Sequence, residues 1–327
     1  MTLRFLFIFL AMYLFGCERN EQLILIDGSS TVYPISEAVS EEFLKSNPDV
    51  TIAIGESGTG GGFAKFGRGE ISINNASRPI TPSEIEACKL NNIEFIEIPV
   101  AYDGMAVVVH PDNNWATEVT VEELKRIWEP EAQGVINRWN QIRPEWPDRE
   151  IRLYGAGVSS GTFDYFTEAI VGEKRASRGD YTASEDDNVL VQGVSQDVLA
   201  MGYFGLAYYE ENKHKLKALA IDDLNDENGQ GAILPSFENV NNASYQPLTR
   251  PEFIYVTLNA AQKPSVSKFI HFYLHEGAEL VKEVGYVPLS RNTYTLAWNR
   301  FQDKQTGSLL VGKENVGVNL EKLLKSN

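Results

Sequence analysis

Three segments of this chain repeat one pattern, a short hydrophobic strand followed by a loop of Ser, Thr and Gly and then a helix. The predicted strands cover residues 23–26, 50–54 and 151–154. The loops after them are Asp27-Gly28-Ser29-Ser30-Thr31, Ser57-Gly58-Thr59-Gly60-Gly61-Gly62 and Ser159-Ser160-Gly161-Thr162. The first backbone N–H groups of a helix lack intrahelical partners, and the helix dipole favours negative charge beside them. Glycine lets a ligand approach the backbone, and hydroxyl groups add donors. The pattern therefore predicts seats for an anion.

A Ser/Gly loop at a strand–helix junction also has a plainer interpretation, as an ordinary helix cap and turn. A single copy favours that plainer interpretation. Three copies favour a shared function, because ligands of open α/β sheets bind outside the carboxyl ends of the strands. We therefore expect the three loops to converge on one small anion.

The charge of the chain limits its partners. Its 327 residues include 45 acidic and 29 basic side chains, a formal net charge of −16. Such a surface repels nucleic acid and anionic lipid headgroups, so we expect no nucleic-acid partner. It also repels a phosphate-like anion at long range. An anion site in this chain must therefore act through close, oriented donors.

Residues 1–16 are typical of a signal peptide. A positive charge at Arg4 precedes an apolar run over residues 6–15, which is too short to span a bilayer. The sequence Leu14-Phe15-Gly16-Cys17 resembles a bacterial lipobox, although Phe15 is bulkier than that pattern usually carries. Cys17 is then the lipidated N-terminus of the mature protein. The alternative is an ordinary signal peptide with an incidental cysteine.

Strands and helices alternate along the chain, which predicts a mainly parallel sheet with helices on both faces. Further strands are predicted at residues 70–73, 93–100, 105–109, 201–208, 216–221 and 253–258. Helices are predicted at residues 32–46, 82–90, 121–128, 163–171, 187–200 and 265–282. Cys88 falls in one of these helices, where we expect a small buried side chain rather than a disulfide or a metal ligand.

Arginine side chains are the candidate cations of the site. Arg78 follows a predicted strand, so its planar fork is placed to pair with an oxyanion. The alternative is a surface arginine in a turn. Arg175 and Arg178 lie in a polar loop, where either one reaches the cleft or both are solvated.

A serine hydrolase is the alternative from a different functional class. Gly157-Val158-Ser159-Ser160-Gly161 matches the G-x-S-x-G nucleophile elbow in a strand–turn–helix context. The late candidates for a catalytic base, His271 and His275, share one predicted amphipathic helix, which favours a structural role. The sequence holds no Walker motif, and Phe272 stands where a metalloprotease helix carries its Glu. We therefore expect no catalytic residues, no cofactor and no metal.

Together these motifs resemble the phosphate-binding lipoproteins of bacterial ABC phosphate importers, the Pst-type substrate-binding proteins. The matching motifs are Asp27-Gly28-Ser29-Ser30-Thr31-Val32-Tyr33-Pro34-Ile35, Ser57-Gly58-Thr59-Gly60-Gly61-Gly62-Phe63, Asn75-Ala76-Ser77-Arg78-Pro79-Ile80 and Ser160-Gly161-Thr162-Phe163-Asp164-Tyr165-Phe166. A further motif, Tyr181-Thr182-Ala183-Ser184-Glu185-Asp186-Asp187-Asn188, is similar to the branch known from cyanobacteria. The resemblance covers essentially the whole mature chain.

The resemblance implies a two-lobed type II periplasmic-binding-protein fold with the ligand cleft between the lobes. The chain of such a fold crosses between lobes twice, and we expect the crossings near Asp103 and Arg250. The expected division is a lipoprotein signal peptide at residues 1–16, lobe 1 at residues 17–103 and 251–327, and lobe 2 at residues 104–250. The phosphate ligands carried over are Ser30, Thr31, Val32, Ser57, Ser160, Gly161 and Thr162, with Arg78 added from the residues themselves.

The implied function is capture of inorganic phosphate and its delivery to an ABC transporter permease. The protein is then a monomer, lipid-anchored through Cys17 at the outer face of the cytoplasmic membrane or in the periplasm. A binding protein for another tetrahedral oxyanion, or a phosphate sensor, has the same architecture. In either case closure of the lobes on the anion is a hinge motion.

Two positions depart from the family pattern. The best-studied members carry, after the Ala-Ser pair, an Asp that accepts a proton from the ligand and excludes sulfate, and Arg78 occupies that position here. Those members also carry an Arg shortly before Ser-Gly-Thr, where this chain has Gly155-Ala156-Gly157-Val158. These departures leave the proton-acceptor basis of phosphate selectivity open. One alternative is an acceptor from elsewhere, for instance Asp164 or Glu56.

Overall fold

The computed structural model describes residues 22–158, 160–184, 186–227, 229–310 and 318–326. The predicted signal peptide, Cys17 and Ser159 lie outside these residues. Within the described ranges, no helix combines the length and the apolar character that crossing a membrane requires.

The strands and helices follow the predicted alternation. The strands are β1 (Leu23–Gly28), β2 (Thr51–Ile54), β3 (Ile73–Ala76), β4 (Phe95–Val109), β5 (Glu118–Thr120), β6 (Arg152–Ala156), β7 (Thr182–Ser184), β8 (Ala200–Gly205), β9 (Lys217–Ala218), β10 (Ala220–Asp222), β11 (Thr249–Thr257) and β12 (Val287–Pro288). The helices are α1 (Tyr33–Ser46), α2 (Gly58–Gly67), α3 (Pro82–Leu90), α4 (Val121–Trp128), α5 (Gly161–Phe166), α6 (Asp187–Ser195), α7 (Leu206–Asn212), α8 (Phe237–Asn241), α9 (Leu258–Ala261), α10 (Pro264–Glu283), α11 (Arg291–Gln302) and α12 (Leu320–Lys325). A π-helical turn, Thr167–Val171, extends α5.

Two lobes share one long strand. The main sheet runs in the order β2-β1-β3-β11-β4-β8-β6-β7. Residues 95–104 of β4 pair with β11 on the side of β1 to β3, and residues 105–109 pair with β8 on the side of β6 and β7. The architecture is thus the two-lobed α/β periplasmic-binding fold that the resemblance implied.

The sheet differs from the sequence prediction in the relative direction of some strands and in the extent of one strand. The pairs of β1 with β2 and β3, and of β6 with β7 and β8, are parallel, but β11 and β4 pair antiparallel with their neighbours. The two predicted strands at 93–100 and 105–109 are one continuous strand. The sequence analysis left residues 101–104 outside both strands, yet Asp103 lies in the strand, where Arg250, directly opposite on β11, pairs with its carboxylate at 3.0 Å.

Three predicted boundaries were also wrong. The segment at 206–208 is the start of α7 rather than strand, because β8 ends at Gly205 and the buried Leu206 and Ala207 begin a helix. The predicted helix over 187–200 ends at Ser195, so that Ala200 opens β8. The predicted strand at 70–73 is shifted, because β3 begins only at Ile73.

Each lobe has its own aromatic core. In the first, Phe63 packs edge-on against Tyr255, with ring centroids 4.8 Å apart. In the second, Phe166 stacks on Tyr203 at 3.6 Å, and Trp128 meets Tyr203 edge-on at 4.8 Å. Fully burying one such side chain stabilises a fold by about 1.5–3 kcal/mol, so buried aromatic contacts contribute to the stability of both lobes.

Smaller predictions about the helices were confirmed. Thr120 and Glu123 form a reciprocal capping box at the start of α4, at 3.1 and 2.9 Å. Cys88 is a free buried thiol on α3, and desolvation by burial raises its pKa to about 11. A thiol with that pKa stays protonated and unreactive at neutral pH.

Candidate anion-binding site

The first two predicted loops and the segment of Arg78 meet at one edge of the sheet. β1 pairs in parallel with both β2 and β3, so the carboxyl ends of the three strands lie side by side. The Gly55 N–H donates to Ile26 O at 2.8 Å, and the Ser29 N–H donates to Asn75 O at 2.9 Å, which ties the loops together. Gly28 has a φ of +132°, and a Cβ there would lie 2.2 Å from Asn75 O. Only glycine fits at this junction.

The predicted ligands of the first loop differ in the groups that they can offer to an anion. Ser30 is exposed, Thr31 is 8% exposed and Val32 is fully buried, so Val32 offers a ligand only its backbone. The N–H of Thr31 donates to Ser29 Oγ at 3.2 Å. The hydroxyl of Thr31 faces the other lobe, because its Oγ1 lies 2.6 Å from the position of a Cβ on Gly161.

The second loop is held by a buried carboxylate that sequence reasoning missed. Asp27 Oδ1 accepts hydrogen bonds from the Gly28 N–H at 2.7 Å, the Ser57 N–H at 2.9 Å and the Ser57 hydroxyl at 2.6 Å. Lys65 on α2 donates to the other oxygen, Oδ2. Burial acts to raise the pKa of Asp27, but the hydrogen bonds from Lys65, Ser57 and Gly28 outweigh it and hold that pKa below its ordinary value. Asp27 is therefore ionised at neutral pH.

Arg78 lies at the edge of the same cluster, with its fork engaged. Its Nη1 and Nη2 donate to the two carboxylate oxygens of Glu84 at 2.9 and 2.8 Å. The guanidinium lies 5.6 Å from the centre of the Phe63 ring, and Nη2 is 3.7 Å from the position of a Cβ on Gly60. Arg78 therefore sits over the first turn of α2, and its charge is partly neutralised by Glu84.

The third loop lies across the cleft from the first. Ser160 caps α5, and its Oγ accepts from the Thr162 N–H at 3.1 Å. Gly161 faces Thr31, so the structure brings the predicted ligands of the two lobes together at this point. The third loop thus lies directly against the first loop.

The two arginines of the polar loop, Arg175 and Arg178, make different contacts. Arg175 Nη2 donates to Val158 O, just before the third loop, at 2.8 Å, and its Nε lies 3.7 Å from Asp164 Oδ1. Lys174 also pairs with Asp164, at 3.0 Å. Arg178 is 4% exposed and forks onto Asp180, so the solvated position considered for it is wrong. Among the contacts of the described residues, only Arg175 of this pair reaches the residues that flank the third loop.

A buried ion cluster joins the crossing strands to α5. Arg250 lies between Asp103, at 3.0 Å, and Glu252, at 3.2 Å. Its guanidinium is 4.3 Å from the centre of the Tyr165 ring, and the Tyr165 hydroxyl donates to Pro247 O at 2.7 Å. Burial raises the pKa of Glu252, while Arg250 opposes that rise. The helix that follows the third loop therefore contacts Arg250 of β11 through Tyr165.

The two late histidines contact a different part of the fold. His271 and His275 lie on α10 with their rings stacked 4.0 Å apart, and both rings meet Trp298 of α11 edge-on at 4.9 and 5.5 Å. Ser159, the nucleophile of the hydrolase alternative, lies outside the described residues. Among the residues placed by the structure, no group of three or more His, Cys, Asp or Glu side chains is arranged to hold a metal ion.

The fold and the loops at its cleft define the class of two-lobed ligand-binding proteins. A family model described as "PBP superfamily domain" matches residues 18–276. Protein SphX of Synechococcus elongatus is 50% identical over 94% of this chain and 90% of its own length. The phosphate-binding protein PstS of Staphylococcus saprophyticus is 35% identical over 91% of this chain and 88% of its own. The chain belongs to the periplasmic-binding-protein superfamily and, within it, to the family of the PstS and SphX proteins.

A solved structure gives the same result. The crystal structure of a possible phosphate-binding protein from Planctomyces limnophilus superposes with a TM-score of 0.77 at 44% identity. The match covers 86% of this chain and 98% of that one. The fold predicted from the sequence is therefore confirmed by a relative of nearly equal extent.

Proposed function

We propose that this chain captures inorganic phosphate outside the cytoplasmic membrane and delivers it to the permease of an ABC transporter. The observation that carries the proposal is the convergence of the Ser/Gly loops of both lobes, in which Thr31 of the first loop faces Gly161 of the third. Relatives that carry the name phosphate-binding protein support the choice of anion. Binding proteins of this kind catalyse no reaction, and we assign this chain no catalytic residue.

The proposed ligands are backbone and hydroxyl groups from both lobes. In the first lobe they are Ser30, Thr31, Val32 and Ser57, and in the second they are Ser160, Gly161 and Thr162. Arg78 adds a cation at the first turn of α2, where it can reach the anion once one of its N–H groups leaves Glu84. Oriented N–H groups at helix starts bind oxyanions without a basic field, which suits a chain of net charge −16.

We place the lobe boundaries at the crossings. Lobe 1 comprises residues 17–103 and 251–327, and lobe 2 comprises residues 104–250. The change of pairing partner between Gly104 and Met105 of β4 supports the first boundary. Strand β11, which carries Arg250, is the second crossing. Closure about these strands would bring the third loop onto the anion, and the permease would bind the closed form.

We also propose that residues 1–16 are removed and that Cys17 carries a lipid, so that a monomer is anchored at the outer face of the membrane or in the periplasm. Mass spectrometry of the N-terminal peptide tests this directly. A diacylglyceryl-modified Cys17 is expected in the membrane fraction. A Cys17→Ala variant found equally in that fraction would contradict the anchor.

Calorimetric titration of phosphate into the ligand-free protein, with sulfate as competitor, tests the binding function. Tight phosphate binding that sulfate does not displace is the expected result. Equal binding of both ions would make the protein a general receptor for tetrahedral oxyanions. Binding of neither ion would overturn the proposal and return attention to Ser159 and an esterase assay.

A further inference from the structure

The hydroxyl of Ser57 has its only proton committed to Asp27. A serine hydroxyl carries one donor proton and two acceptor lone pairs. The Ser57 Oγ–Asp27 Oδ1 distance is 2.6 Å, and an ionised carboxylate can only accept, so the proton lies between them as a donation from Ser57. The backbone N–H of Ser57 donates to the same oxygen at 2.9 Å. Towards any other partner, the Ser57 side chain therefore presents lone pairs alone.

Several contacts keep Asp27 in place as the acceptor of the Ser57 hydroxyl proton. Its side chain is 9% exposed, and the N–H of Gly28 is a third donor to Oδ1. The ammonium of Lys65 balances the charge at Oδ2. Hydrogen bonds to the charged form keep the pKa of the carboxylate low, so it offers no proton back to Ser57. A ligand therefore meets a serine whose direction of hydrogen bonding is fixed in advance.

We propose that Ser57 Oγ is the hydrogen-bond acceptor for a proton carried by the bound oxyanion, and that Asp27 and Lys65 are the positioning residues that make it one. The inference rests on the proposed phosphate-binding function. Ser57 is exposed at the N-cap of α2, where the anion would lie. Hydrogen phosphate and dihydrogen phosphate both carry a proton for this acceptor, whereas sulfate carries none at neutral pH. Sulfate would place lone pairs against lone pairs and lose the contact.

Glu84 and Asp164, two acids near the loops, are both engaged by cations. Glu84 already accepts from Arg78 and from the N–H and hydroxyl of Thr81. Asp164 is paired through Oδ2 with Lys174 at 3.0 Å, and its buried Oδ1 lies 3.7 Å from Arg175 Nε and accepts no hydrogen bond from the described residues. A carboxylate engaged by cations is a weaker acceptor for a further donor, since its negative charge is already compensated. Ser57 instead gains acceptor strength from donating to Asp27, because linked hydrogen bonds polarise one another.

The test is a titration of phosphate and of sulfate into the full chain as purified and freed of ligand, comparing Ser57→Ala with the unsubstituted protein. Losing a hydrogen bond to a charged partner lowers phosphate affinity roughly tenfold or more. Sulfate affinity should stay equal or rise, so the phosphate-to-sulfate ratio falls by at least the same factor. Ser57→Thr keeps a hydroxyl and should restore the ratio. Ser46→Ala, at the exposed end of α1, is the matched serine control.

Asp27→Ala provides a second route to the same inference. It frees the hydroxyl of Ser57 to rotate and donate, so sulfate binding should strengthen while the far-ultraviolet circular dichroism spectrum is retained. Equal loss of phosphate and sulfate affinity in Ser57→Ala would overturn the inference, because it would make Ser57 a general donor. Unchanged affinities would overturn it too. Equal affinity of the unsubstituted protein for both ions would overturn the inference alone, whereas no phosphate binding would overturn the proposed function itself.

Discussion

The two halves of the candidate site are built in opposite ways. In the first lobe, a buried carboxylate, Asp27, gathers donors from the chain around Gly28 and Ser57 and is neutralised by Lys65. In the second lobe, Asp164 of α5 is met by the side chains of Lys174 and Arg175, which are 58% and 59% exposed. One half is fixed by short buried contacts and the other by long side chains at the surface.

The difference bears on how a hinged binding protein can work. Buried hydrogen-bonded charges hold one geometry, since breaking them leaves a desolvated group without its partner. Exposed ion pairs contribute little and exchange easily with water. We infer that the first lobe is the rigid seat that meets the anion, and that the third loop adapts to it as the lobes close.

The largest effect is expected from Gly28→Ala, which attacks the rigid half. A Cβ at this position would lie 2.2 Å from Asn75 O, and the φ of +132° is one that residues with a side chain rarely adopt. The free energy of unfolding should fall by about 3 kcal/mol or more. Chemical denaturation measures it. Gly172→Ala in the other lobe is the control, since its φ of +89° is also positive but nothing lies within 4 Å of its Cβ. Equal losses in the two variants would show that the edge of the first lobe is packed no more tightly than the surroundings of Gly172 in the other lobe.

The next largest effect is expected from a comparison of the stability lost when each of the two aspartates, Asp27 and Asp164, is replaced. Asp27→Ala leaves Ser57 and Lys65 without their acceptor, and should cost about 2 kcal/mol of stability, discounted because Lys65 is 38% exposed. Asp164→Ala removes a carboxylate whose cations are mostly in water, and should cost less than about 1 kcal/mol. Both values come from the same denaturation series. A larger loss for Asp164→Ala would reverse the assignment of the rigid half.

The pH dependence of stability sharpens the same comparison. The pKa of Asp27 lies below its ordinary value of 3.8 in the folded chain. Its contribution is therefore fully present above that ordinary value and is lost as the pH falls through the lower, folded pKa. The difference in Tm between the unsubstituted protein and Asp27→Asn should be constant from neutral pH down to about pH 5 and should shrink below pH 4. A difference that shrinks already near neutral pH would show that Asp27 is not held ionised by its partners.

The sequence was sufficient to find the loops but not what orients them. Ser, Thr and Gly at strand ends are local signals, and they placed Thr31 and Gly161 at the cleft, where the structure brings them face to face. The contacts of Asp27 with Ser57 and Lys65 span 30 and 38 residues, so no local pattern reports them. An acid directly after the predicted apolar strand at residues 23–26 was the one available sign.

The fold was also predictable from local patterns. The prediction failed where contacts between residues distant in the sequence determine the structure. Hydrophobic periodicity defined α1, α3 and α10 to within a residue or so. The continuity of β4 through Asp103 depends on Arg250, which lies 147 residues further on. Charged residues in a strand look like a turn until their partner across the ladder is known.

The smallest effect is expected from Arg175→Ala in the adaptable half. Its guanidinium contacts Val158 O, just before the third loop, so removing it takes a positive charge from beside the proposed phosphate site. Because the side chain is mostly exposed, phosphate affinity should fall only about threefold at low salt. The loss should vanish as added salt shortens the screening length to about 3 Å at 1 M. Calorimetry at two salt concentrations measures both numbers.

Arg152→Ala is the matched control, since Arg152 is 56% exposed, pairs with Asp197 and lies at the opposite end of β6 from the third loop. An effect of Arg175→Ala that persists in high salt would mean that this guanidinium binds the anion directly in a site closed to water. The second lobe would then be as rigid a partner as the first.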